Sequence, residues 1–121
     1  MQDDVFFQNH SVGSCLAEIF DDLPGFIYFV KDTELRYVAF NTRLQTIFDI
    51  ADGADGSQIL GKKDDDFMPP HLVDEIRKDD LKVLETGDSI LNRVELVPRG
   101  NGFVDWSTTT KKPLLDKSGN I

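Results

Sequence analysis

The 121-residue sequence has little cysteine, little histidine and no long apolar run. Because Cys15 is the only cysteine, no disulfide can form within one chain, and this favours a reducing compartment such as the cytoplasm. No apolar run approaches the roughly 20 residues that a membrane-spanning helix needs. The net charge of -9 disfavours nucleic acid or an anionic membrane as a direct partner.

Hydrophobic residues make up 40% of the chain, which is enough for one compact domain with its own core. We therefore expect residues 16–121 to form that domain, with residues 1–15 as an N-terminal extension. The acidic start of the chain argues against a signal peptide.

The clearest local pattern predicts a long helix that begins near Pro69 and Pro70 and ends at Gly87. Prolines are tolerated in a first helical turn, and glycine suits the C-terminal stop. Three aspartates, residues 64–66, precede this helix and are expected to form a solvated acidic loop at its positive end.

Asp80 interrupts the apolar stripe of this helix, since it lies four residues after Ile76 and four before Leu84. A carboxylate on that face needs a partner or a polar cavity. Two readings remain open: Asp80 bonds a backbone N–H or a nearby lysine or arginine, or it lines a cavity and orients a small ligand.

The first half of the chain predicts a helix over residues 14–23, then a doubly buried strand over 26–30 and a second strand over 37–40. The short connection between the strands predicts a hairpin. Asn41 and Thr42 are expected to cap a short helix, with Thr42 and Gln45 as a capping box.

After Gly87 the apolar period changes to two, which predicts a strand over residues 91–97, a turn over 98–102 and a strand from Phe103 towards Leu115. Hairpins on either side of a helical stretch predict an α+β fold, with an antiparallel sheet and helices on one face.

A metal site is not expected at residues 64–66, because their spacing matches neither a calcium loop nor a zinc site. His71 is a surface or capping residue by default, with axial haem ligation as the alternative. With no motif for nucleophilic catalysis, we do not expect an enzyme. If Asp80 lines a cavity, the strand residues expected to share it are Asn92, Trp106, Thr108 and Thr110.

Five pieces of the sequence, in this order, resemble a PAS domain of the bacterial kind that precedes transcription-regulator or histidine-kinase output modules. These pieces are residues 23–32, 37–41, 61–70, 85–87, and Trp106 with 112–119. The resemblance covers about residues 16–121.

The resemblance implies a five-stranded antiparallel sheet, helices over one face, and a ligand pocket between the sheet and the long helix. It also implies a homodimer contact through the helix of residues 14–23 and an output module elsewhere in the protein. The light-sensing branch carries a reactive cysteine after the second strand. Residues 42–61 contain none, so no flavin adduct is expected, and haem would depend on His71 alone.

The family's fifth strand lies in the middle of its sheet and would begin near Ile121. We therefore expect a chain cut short of that strand, with its place filled by residues 5–7 or by a neighbouring chain. Two functions follow as hypotheses: a cytoplasmic sensor of an unidentified small molecule, or a ligand-free dimerisation module. Both depend on the two predicted hairpins joining in one sheet under the long helix.

Overall fold

A computed structural model describes residues 12–23, 25–48, 56–100 and 103–121. The chain divides into two compact units, Met1–Lys62 and Lys63–Ile121. The prediction that residues 5–7 take the place of the fifth strand concerns residues outside the described ranges.

The described part of the first unit contains helix α1, Val12–Asp21, and strands β1, Phe29–Lys31, and β2, Tyr37–Phe40. The strands form an antiparallel hairpin, as predicted. The prediction of a doubly buried first strand is wrong, because the strand starts at Phe29 and is half-buried, and Phe26 lies before it with 56% of its surface exposed.

The turn between β1 and β2 is held by the carboxylate of Asp32. Its Oδ1 accepts the N–H groups of Glu34 at 3.0 Å and Arg36 at 2.9 Å, and its Oδ2 accepts the Nε–H of Arg36 at 2.8 Å. Slight burial would raise the pKa of Asp32, but the hydrogen bonds and charge of Arg36 outweigh it and lower that pKa from 3.8.

Helix α2, Thr42–Ile47, is not capped in the predicted way. Asn41 precedes it, but the N–H and hydroxyl of Thr42 both donate to the carboxylate of Asp21, at 2.7 and 2.9 Å. A residue from the end of α1 thus replaces the local capping box. The core beside α2 consists of Tyr37, Leu44, Ile47, Phe48 and Ile59.

The buried amide of Asn41 ties the preceding segment to this core. Its Oδ1 accepts the N–H of Tyr28 at 3.0 Å, and its Nδ2 donates to the carbonyl of Phe26 at 2.9 Å. Because Asn41 is only 1% exposed, these bonds satisfy the polar atoms of its buried side chain.

The second unit opens with a 3₁₀ helix, Asp64–Asp66, followed by helix α3, Pro70–Thr86. The aspartates therefore do not form the predicted open loop: Asp64 is buried, and Asp65 pairs with Arg77. Gly87 ends α3 in the left-handed region, with φ of 72°, as the sequence predicted.

Strands β3, Ile90–Gly100, and β4, Phe103–Lys111, form a second antiparallel hairpin. Pro98 continues β3 and does not start the turn, and β4 ends before the predicted Leu115. Among the described residues the strands form two separate two-stranded sheets, β1–β2 and β3–β4. The prediction of one joined sheet is therefore wrong for these residues, because no described strand bridges the two hairpins.

Candidate functional site

The candidate site lies within the second unit, where α3 meets the β3–β4 hairpin. The apolar face of α3 is buried and comprises Leu72, Val73, Ile76 and Val83. Two adjacent aspartates, Asp79 and Asp80, lie on the same face and are also buried. Their carboxylates reach different strands of the hairpin.

Asp80 pairs with a lysine that the sequence analysis did not select. Its Oδ1 lies 2.7 Å from Nζ of Lys111, and these side chains are only 6% and 8% exposed. Nζ of Lys111 also donates to the carbonyl of Ile76 at 3.4 Å. This ion pair matches the first interpretation of Asp80, in which a nearby lysine or arginine pairs with the carboxylate. Removing either partner would leave a buried charge without its counter-ion.

Asp79 makes the corresponding contact to β3, with its Oδ2 at 3.2 Å from Nε of Arg93. The carboxylate is about nine-tenths buried, while half of the Arg93 side chain is exposed. The sequence contained a signal for Asp79, since it lies three residues after Ile76 and four before Val83. Asp79 was nevertheless not predicted as a site residue, because only Asp80 was recognised as an interruption of the apolar stripe.

A β-bulge in β3 directs Arg93 towards the helix. Ile90 pairs with Lys111 and Arg93 with Thr109, so two residues of β3 lie opposite one of β4. The extra residue is accommodated at Asn92, which has φ of 55° and whose N–H donates to Oγ1 of Thr110 at 3.2 Å. The bulge places Arg93 on the same hairpin face as Lys111, where both cations can meet α3.

The structure does not bring all the predicted site residues together. Thr108 and Thr110 alternate with Thr109 and Lys111 along β4, so they project from the face opposite to Lys111. Asn92 and Thr110 meet each other at the bulge and are exposed. The shared cavity of Asp80 with Asn92, Thr108 and Thr110 is therefore not formed, and ligand binding by those side chains stays a prediction.

A cleft of about 170 Å³ lies between α3 and the hairpin. Trp106 is the one predicted site residue that lines it. The full lining is Leu72, Glu75, Ile76, Asp79, Arg93, Val94, Glu95, Leu96 and Trp106. The Asp79–Arg93 pair is thus both a wall of the cleft and a link between helix and strand.

Other chemical candidates remain isolated in the described residues. His71 is exposed in the first turn of α3, and Cys15 is exposed on α1. Across 12–23, 25–48, 56–100 and 103–121, no group of three or more His, Cys, Asp or Glu side chains is arranged to hold a metal ion.

Comparison with known protein families matches residues 20–121 to the PAS fold family. The chain belongs to the PAS fold family. PAS domains are in general sensory and signalling modules, and this broad class is assigned to the chain. No curated protein and no solved structure matches the sequence significantly.

The PAS match includes α2, α3 and both hairpins, and therefore spans the boundary between the two compact units. It supports the predicted α+β fold class, with antiparallel strands and helices. In the part of this PAS domain that the structure describes, no helix has the length and apolar character needed to cross a bilayer.

Proposed function

We propose that this PAS domain is the sensor of a bacterial transcription regulator or histidine kinase, and that it binds a small molecule in the cleft beside α3. An output module elsewhere in the protein would read its state. The observation that carries the proposal is the position of the Asp79–Arg93 pair, which lines the cleft and joins α3 to β3. A ligand there would touch the contact that holds helix and hairpin together. Because the cleft lies wholly within Lys63–Ile121 and the exposed face of α1 within Met1–Lys62, neither of the two functions proposed for this domain requires the two hairpins to share one sheet.

The proposed mechanism is a shift between two packings of α3 on the hairpin. A ligand changes the populations only as far as it binds one packing more tightly than the other. Asp79 would couple ligand binding to the packing of α3, because its carboxylate can contact either Arg93 or a ligand in the cleft. The Asp80–Lys111 pair, buried on both sides, would keep the helix attached while the outer contact changes.

Mass measurement tests whether a ligand is carried. For protein purified from its own cells, the mass measured under native conditions should exceed the denatured mass by the mass of a small molecule. Val94→Phe should remove that excess, because Val94 lines the cleft. Val104→Phe is the matched control, since it enlarges another exposed valine of the same hairpin outside the cleft.

Equal native and denatured masses, together with no change in melting temperature across a metabolite library, would reject small-molecule sensing. If Val94→Phe still carried the ligand, small-molecule sensing would stand, but the binding site would lie outside this cleft.

The second candidate is a ligand-free dimerisation module, and the exposed face of α1 favours it. Leu16 and Ile19 of α1 are spaced as on one helix face and are 36% and 56% exposed, and Leu23, two residues after the end of α1, is 43% exposed. An apolar stripe on a surface helix suits a partner helix, and the homodimer through residues 14–23 remains our proposal.

Light scattering with Ile19→Glu tests this candidate. The charge should shift the protein towards monomer, because it would be buried in the dimer contact. Thr33→Glu, in the exposed β1–β2 turn, adds the same charge as a control. Because Cys15 is exposed on α1, spin labels there should report a short inter-chain distance in the parent protein. A monomeric parent, or an unchanged dimer of Ile19→Glu, would reject this interface.

A cytoplasmic location is also proposed, and it is supported only by the acidic composition and the single cysteine.

A further inference from the structure

Helix α1 is anchored to the first unit by two neighbouring residues of its last turn. The ring of Phe20 stacks on the ring of Tyr28, with centroids 5.2 Å apart and planes only 6° from parallel. It also lies 6.5 Å from the ring of Phe26. The carboxylate of Asp21 accepts the N–H and the hydroxyl of Thr42 at 2.7 and 2.9 Å.

These anchors converge on the start of α2. Asn41, the residue before α2, bonds the backbone of both Tyr28 and Phe26, which are the ring partners of Phe20. Thr42 is the first residue of α2 and bonds Asp21 directly. If α1 left its place, two donors at the start of α2 would lose the carboxylate that accepts them.

Outside its last turn, α1 has little to keep it helical. Four of its side chains are exposed: Cys15, Leu16, Glu18 and Ile19. The helix has 10 residues, and isolated helices shorter than roughly 12 residues are marginal in water. Its first turn contains no acidic residue and its last turn no basic one, so its macrodipole is not stabilised by its own charges. An undocked α1 should therefore unfold.

We infer that α1 is a two-state element, either docked and helical or undocked and unfolded, and that Asp21 couples its state to α2. A second copy bound to the exposed side of α1 would favour the docked state and thereby stabilise the start of α2. This regulatory step rests on the second proposed function, the dimerisation module. The coupling between α1 and α2 does not depend on it.

A break in the middle of α1 tests the coupling at a distance. Glu18→Pro interrupts the helix at an exposed position and removes no buried contact. The exchange of the Thr42 amide hydrogen should become roughly fivefold faster, which is the effect of losing a helix cap. Glu18→Ala is the matched control, since alanine keeps the helix and should leave this exchange unchanged.

The amide of Tyr37 provides an internal reference in the same spectra. It donates to the carbonyl of Lys62 at 2.9 Å, and its side chain is buried in the core beside α2. In Glu18→Pro, faster exchange at Thr42 with unchanged exchange at Tyr37 is the result expected. An equal acceleration at both amides would overturn the coupling, because it would report a general loss of stability.

Asp21→Ala tests the anchor itself. A nitroxide on Cys15, the only cysteine of the chain, reports the motion of α1 at an exposed position. Its spectrum should show faster motion in Asp21→Ala, because α1 would undock more often. Asp22→Ala is the matched control: it removes the neighbouring exposed carboxylate, which makes no side-chain bond to the described residues, and the label should move as in the parent.

The outcomes separate the coupling from the proposed dimer. Unchanged Thr42 exchange in Glu18→Pro would overturn the coupling, and Asp21 would then be a local cap only. Equal label motion in Asp21→Ala and Asp22→Ala would overturn the anchoring role of Asp21.

A concentration series of the parent tests the regulatory step. Thr42 exchange should slow as light scattering shows more dimer. Exchange independent of the dimer fraction would overturn that step, whereas a parent that stays monomeric would reject the dimerisation module itself and leave the coupling to be decided by Glu18→Pro.

Discussion

The two units of this PAS domain stabilise their buried polar groups in different ways. In Met1–Lys62, the neutral amide of Asn41 bonds two backbone groups inside an aromatic and aliphatic core. In Lys63–Ile121, two buried carboxylates of α3 pair with cations from the hairpin. A neutral amide costs little to desolvate, whereas buried ions are stable only while both partners are present. The second unit should therefore respond more strongly to single substitutions.

The largest effect is expected for Asp80→Ala, which leaves the Lys111 ammonium buried without its carboxylate. Breaking a buried pair in this way costs about 3 kcal/mol or more. The double variant Asp80→Leu, Lys111→Met replaces the pair by apolar groups and should recover most of that loss. Urea unfolding of the three proteins measures the difference. If the double variant were as unstable as Asp80→Ala, the unpaired charge of Lys111 would not explain the loss of stability.

Asn41→Ala is the corresponding break in the first unit. It leaves the N–H of Tyr28 and the carbonyl of Phe26 without their partner and should cost about 2 kcal/mol in urea unfolding. This loss should be smaller than the loss at Asp80, because the backbone groups left without a partner are neutral. Gln58→Ala, at an exposed position, is the control. A loss as large as that of Asp80→Ala would contradict the contrast between the two units.

The bulge at Asn92 offers a smaller and more local test. Asn92→Val should destabilise the protein by about 1–2 kcal/mol, because a β-branched residue does not tolerate the left-handed backbone. Asn92→Gly should be close to neutral. If the bulge directs Arg93 to Asp79, Arg93→Ala should destabilise the Asn92→Val variant much less than it destabilises the parent. Additive losses in a double-mutant cycle would refute that link.

The smallest effect is expected at the exposed turn of the first unit. Since folding lowers the pKa of Asp32 below 3.8, the ionised form stabilises the fold above that pH. This stability is lost as the pH falls through the lowered pKa. Asp32→Asn should lower the melting temperature at neutral pH, and the difference from the parent should shrink below pH 3.8. A difference that stays constant down to low pH would exclude the carboxylate charge as its cause.

Sequence patterns predicted the elements well where one local rule decides. The prolines and Gly87 located α3, and the change of period located β3 and β4. Residues whose partners are far along the chain were missed: Asp21 caps α2 from 21 positions away, and Lys111 meets Ile76 across 35. No local pattern contains such a partner.

The candidate site was predicted only in part, because its strand register depends on the bulge. Asp80 is buried against Lys111 and Trp106 is among the residues that line the cleft, but Thr108 and Thr110 lie on the hairpin face opposite to Lys111. Alternation alone did not show which face of the hairpin meets α3. One residue in the left-handed region changes which side chains of β3 face α3. The tolerance of asparagine for that conformation was the only local signal, and it is too weak to fix a bulge in advance.

The exposed apolar side chains of the β3–β4 hairpin have a practical consequence for handling the protein. Val94, Val104 and Trp106 all present apolar surface there. At neutral pH, the net charge of -9 opposes non-specific aggregation of the chain through mutual repulsion. That repulsion vanishes near the isoelectric point of about 4.5, so precipitation should be greatest there and should ease again in more acidic buffer.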